Sequence, residues 1–116
     1  MSKPTMADFD GFSGVDLMQI ERERQIQDLG YDAENDDSYG SSGDLVHAGI
    51  CYALSACADT LPGCNWVAHG IWMWPGSCPD LALTPADKIH RLTAAGALFA
   101  AEIDRIQREQ REGGAA

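Results

Sequence analysis

No apolar run in this chain reaches the roughly 18 to 20 residues needed to cross a bilayer, which argues against a membrane-spanning segment. The opening stretch, Met1 to Gly14, carries Asp8 and Asp10 where a secretory signal would be basic and then apolar, so a cytoplasmic location is expected. The four cysteines (Cys51, Cys57, Cys64 and Cys78) contain no C-x-x-C and match no zinc ribbon or finger, so reduced thiols are expected. There is no G-x-S-x-G, no phosphate-binding glycine loop and no G-x-G-x-x-G, and nothing marks an ordinary hydrolase or kinase. Basic residues are also scarce: 8 Lys and Arg stand against 18 Asp and Glu, a net charge of −10. Phosphate backbones demand clustered Lys and Arg, so direct nucleic-acid binding is disfavoured, and a basic protein partner or DNA mimicry fits the sign better. Charge of this sign also simply keeps a small domain soluble.

What is present is enough for one modest core. With 116 residues, 45% of them hydrophobic, the chain predicts a single domain. The acid is concentrated early: residues 1–44 hold eleven acids against Lys3, Arg22 and Arg24, whereas residues 45–116 hold seven acids and five bases. Residues 1–12 lack periodicity and read as a flexible arm, residues 13–112 as the helical domain, and the glycine- and alanine-rich end, 113–116, as a disordered tail.

Three helices are predicted. The first is opened by Ser13 with Asp16 at capping-box spacing and ends near Leu29, with Gly30 placed to adopt the left-handed closing conformation. Tyr31 to Gly43 is acidic, lacks basic residues, ends in Gly40-Ser41-Ser42-Gly43, and reads as a loop. The second helix runs from Asp44 to about Ala58 and is apolar nearly all round, with Ala48, Gly49, Ala53 and Ala56 allowing close backbone approach. Three prolines and three tryptophans (Trp66, Trp72 and Trp74) then mark a long loop from Asp59 to Leu83, in which Trp72 and Trp74 either cover the open end of a bundle or wall a ligand site. Thr84, Pro85 and Asp87 supply an N-cap, a proline at the first helical position and an acid in the first turn, so the third helix starts there and runs to about Glu112. Its main stripe is Ile89, Leu92, Gly96, Phe99, Ile103 and Ile106. The fold expected is all-α, a small three-helix bundle with room for a fourth helix, carrying a Trp/Pro-rich loop between its second and third helices.

A polar pair interrupts the first helix. At 100° per residue, the stripe of Val15, Met18, Ile26 and Leu29 has Arg22 at its centre and Gln25 at its edge. A guanidinium cannot shed its proton, so burial requires acidic and carbonyl partners. Glu102, following the apolar segment Ala94 to Ala101, is the expected partner, and such a pair either fixes helix packing or belongs to a binding site. His47 is read first as a structural histidine and second as a site residue. Carboxylates Glu21, Asp36, Asp37 and Asp44 are candidate ligands for Mg²⁺, although Asp37 stands where a calcium EF-hand needs its turn glycine.

The run Glu21-Arg22-x-Arg24-Gln25-Ile26 is followed by Gly30-Tyr31, Glu34-Asn35-Asp36-Asp37, Gly43-Asp44-Leu45, Cys51-Tyr52-Ala53 and Trp74-Pro75. Ala95-Gly96-Ala97-Leu98 and Ala101-Glu102-Ile103-Asp104-Arg105 complete the pattern. Across most of residues 21–105 this resembles a family of short proteins encoded by tailed phages and prophages, with Tyr31 in place of a common Trp and Asn35 in place of a common His. The resemblance implies a phage genome and no defined activity. A weaker similarity is to the all-helical nucleoside triphosphate pyrophosphohydrolases, whose paired E-x-x-E and E-x-x-D magnesium signature is missing here. The expectation is a phage or prophage accessory protein acting by binding, a counter-defence factor against a host protein or a nucleotide signal, with no cofactor. Its candidate contacts are Arg22, Gln25, Glu102, Trp72, Trp74 and His47, and the small-residue helix faces allow a homodimer. The alternative is a Mg²⁺-dependent nucleotide hydrolase using the acidic set.

Overall fold

The computed structural model describes residues 3–39, 42–57, 59, 63, 72, 82 and 84–113. Among them the chain is all-helical, without strands: α1 (Gly14–Leu29), α2 (Ala33–Tyr39), α3 (Asp44–Cys57) and α4 (Pro85–Glu112). The capping signals act as their chemistry dictates. Ser13 Oγ accepts from Asp16 N while the Asp16 carboxylate accepts from Ser13 N, both at 3.1 Å. Gly30 closes α1 at φ +74°, a left-handed conformation that costs glycine nothing and strains a residue with a Cβ. Thr84 Oγ1 accepts from Asp87 N at 3.1 Å, and Pro85 opens α4. The described part of the expected arm also contains a turn of 3₁₀ helix, Met6–Phe9, where Thr5 N donates to Asp8 Oδ2 at 2.9 Å and Asp8 N donates to the Thr5 carbonyl at 3.0 Å.

The expected loop after Gly30 is in part a helix. Asp32 Oδ1 accepts from Asn35 N at 2.9 Å, its carbonyl accepts from Asp36 N, and two turns of α2 follow. Apolar periodicity is absent from those seven residues, which is why periodicity alone did not find them. Asp32 as N-cap and Glu34 in the first turn were the signals available.

α4 is the central helix, on which α3, α1 and α2 all pack. Met18 lies at Gly96 and Arg22 at Asp104, so α1 and α4 run parallel. Gly49 lies at Phe99 and Ser55 at Arg91, so α3 runs antiparallel to α4. The helices meet on small side chains: α3 buries Leu45, Ala48, Gly49, Cys51, Ser55 and Ala56, and α4 buries Ala86, Ala94, Ala95, Ala97, Leu98 and Ala101. Close backbone approach brings more atoms into contact than bulkier stripes would permit.

That choice displaces both expected apolar stripes from the most buried faces, although Met18 still meets Gly96 and Phe99 meets Gly49. On α4, Leu92, Ile103 (56% exposed) and Ile106 face solvent, and the buried face lies roughly opposite, through Ala94, Leu98, Ala101 and Arg105. On α1, Val15 is 75% exposed and Met18 and Leu29 are also exposed, while Glu21 and Gln25 are buried. No helix among the described residues is long and apolar enough to cross a membrane. Most of the Trp/Pro-rich segment, including Trp66 and Trp74, lies outside the described residues.

Candidate functional site

Arg22 finds an acid, but not the one expected. Its Nη2 meets Asp36 Oδ2 at 3.1 Å, with Asp104 at 3.9 Å, and its Nη1 donates to the Tyr31 carbonyl at 2.9 Å. Glu102 is turned instead to Arg105, one helical turn ahead, at 2.5 Å. The reason is the unforeseen α2: its first turns bring Asp36 under Arg22, and Asp36 is entirely buried there. Gln25 does not bridge to Glu102 either; its Nε2 donates to Glu21 at 3.1 Å.

The seam continues along α4. Arg108 holds Asp37 at 2.7 Å and reaches the Ala33 carbonyl, which ties α2 to α4. Arg105, almost wholly buried, binds Glu102 and Glu109 (2.6 Å). Sequence reasoning missed its burial; the acids three residues before it and four after were the available signal. Glu21 is gripped by Arg24 through two bonds of 2.6 and 2.8 Å. Burial pushes the Asp36 carboxyl above the ordinary carboxylate value, and Arg22 opposes that rise without cancelling it. Hydrogen bonding to Asp37 raises Arg108, and bonding to Glu102 and Glu109 raises Arg105, so both remain charged. Arg22 Nε, Gln25 Oε1, Asp36 Oδ1 and Arg108 Nε are buried with no partner among the described residues.

Four of the candidate carboxylates, Glu21, Asp36, Asp37 and Glu102, are therefore occupied by guanidinium groups. Asp44 lies separately, in the first turn of α3. Among the described residues no group of three or more His, Cys, Asp or Glu side chains is arranged to hold a metal ion. His47 lies one turn into α3, its ring beside Gly43 and its backbone N–H donating to the Gly43 carbonyl. Trp72 is half-buried, edge-on to Tyr52 with ring centres 6.1 Å apart, and packs against the core cluster formed by Leu45, Ala48, Leu98 and Ala101. Trp74 is outside the described residues.

A second feature was not foreseen. Met6, Phe9 and Phe12 from the N-terminal segment, Leu17 and Met18 from α1, and Leu92 from α4 wall an open, largely apolar cleft of about 800 Å³. Gly11, at φ +82°, turns the segment so that Phe9 and Phe12 reach the same recess. A smaller adjoining recess is lined by Asp8, Glu21, Phe9, Phe12 and His90, whose imidazole burial drives toward the neutral form. The arrangement therefore offers a seam whose carboxylates are ion-paired with arginines and an apolar cleft open to solvent. No known protein family, no curated protein and no solved structure matches the chain.

Proposed function

We propose that this chain is a small accessory protein of a phage or prophage that works by binding, inhibiting a host protein or sequestering a nucleotide signal as a counter-defence factor. The observation that carries the reading is the contrast between two regions. The carboxylates suited to catalysis are held by Arg22, Arg24, Arg105 and Arg108, whereas large apolar side chains stand open around the cleft. Exposed contiguous apolar surface on a small protein is characteristic of an interaction site. The sequence resemblance to phage-encoded proteins supplies the context, and the acidic N-terminal third favours a protein partner over nucleic acid.

Affinity capture from host cells producing the protein, paired with calorimetry against linear and cyclic nucleotides, tests the reading. A host protein enriched at fixed stoichiometry, or saturable nucleotide binding without turnover, is the expected result. New product peaks after incubation of nucleotides with Mg²⁺ would replace it with the hydrolase reading. Absence of any partner and of any nucleotide binding would overturn it.

A further inference from the structure

The cleft has walls of one kind and surroundings of one charge. Met6, Phe12, Met18 and Leu92, all on its walls, are each at least 39% exposed. Asp10 lines the cleft itself. Asp8 and Glu21 line one recess that shares Phe12 with the cleft, and Asp16 and Glu23 line another. Among the described residues no Lys or Arg lines any of the three, and Arg24 reaches them only through its bonds to Glu21. Four carboxylates outside any ion pair among the described residues, Asp8, Asp10, Asp16 and Glu23, thus ring an apolar trough, and two of its wall residues are methionines, whose flexible thioethers adapt to varied shapes. Such a ring repels a second acidic copy of this chain and disfavours anionic ligands, nucleotides included.

We propose that the cleft is the docking groove for a basic amphipathic helix of a partner protein, which lays apolar side chains between Phe12, Met18 and Leu92 and offers Lys or Arg to the acidic ring. This rests on the binding reading above and commits it to a protein partner at this face. The recognition mode is helix in groove, in which anchors at successive turns enter the trough and flanking charges set orientation and association rate.

An 18-residue peptide of leucine and lysine patterned as an amphipathic helix serves as probe, with a scrambled peptide of equal composition and a leucine/glutamate version as controls. Affinity is read by fluorescence anisotropy, and location by the methyl resonances of Met6 and Met18. The patterned basic peptide should bind, shift both methyl signals, and weaken as salt is raised. Phe12→Ser with Leu92→Ser changes no charge and alters half-exposed positions, so the fold should persist by circular dichroism while binding weakens at least about tenfold, the equivalent of burying one apolar side chain. Asp10→Asn with Glu23→Gln should weaken binding and flatten its salt dependence. Equal binding of the scrambled peptide, or binding that leaves the methyl signals and the Phe12/Leu92 variant unchanged, would overturn the groove. A host partner captured through another face would then leave the binding function standing. Self-association abolished by Leu92→Ser would also overturn it, by making a second copy the occupant.

Discussion

Asp36 is buried with one carboxylate oxygen bonded to Arg22 and the other without a partner among the described residues, and its proton affinity carries the consequence. Because its folded-state value is raised, the folded protein takes up the proton at a higher pH than the unfolded chain does. Asp36 therefore weakens the fold in full above the raised value, and that weakening is relieved as pH falls through the window down to the ordinary carboxylate value. Urea unfolding from neutral pH downward should show the wild type gaining stability relative to Asp36→Asn. The opposite trend would mean that Arg22 holds the carboxyl below its ordinary value. A rise shows that pairing with Arg22 does not fully replace the hydration that Asp36 gave up. The pair fixes where α2 sits more than it adds stability.

At the scale of elements, two glycines let the outer helices approach α4, and they differ in what they touch. A Cβ on Gly49 would lie 2.5 Å from the ring of Phe99, and one on Gly96 would lie 2.5 Å from Met18 Sδ. An aromatic ring held between α3 and α4 moves only as a plate, whereas the Met18 side chain is flexible and partly exposed. Alanine also improves helix propensity by about 1 kcal/mol at either position. Gly96→Ala should accordingly be near neutral in thermal unfolding, and Gly49→Ala should destabilise by about 1–2 kcal/mol, the usual cost of overpacking less the propensity gain. Equal effects would mean that the Phe99 ring shifts as freely as Met18.

For the whole molecule the governing quantity is charge. A net −10 on 116 residues, gathered in the first third, works against compactness through self-repulsion. The ion pairs of the seam sit in partly or fully buried surroundings where salt screens less, whereas repulsion among the exposed acids is screened strongly. The melting temperature should rise from low to physiological ionic strength. A fall would show that surface pairs such as Lys88–Asp59 (2.7 Å) outweigh the repulsion.

Signals confined to three or four consecutive residues were legible in the sequence: the Ser13/Asp16 box, the Gly30 stop, and the Thr84-Pro85-Asp87 start, together with the bounds of α1, α3 and α4. Each is a hydrogen bond or a backbone conformation closed within one helical turn, so no distant residue can alter it much. That Arg22 needs an acid was equally readable, since an isolated buried guanidinium is too costly. Which acid meets it was decided by tertiary structure, because Asp36 reaches Arg22 only through a short helix with no apolar period of its own. Tertiary structure also decided that the helices join on their alanines and leave Leu92, Ile103 and Ile106 outside, and that the N-terminal segment supplies a cleft wall. Helical periodicity shows which residues share a face; which faces meet depends on how closely the backbones of different helices can approach.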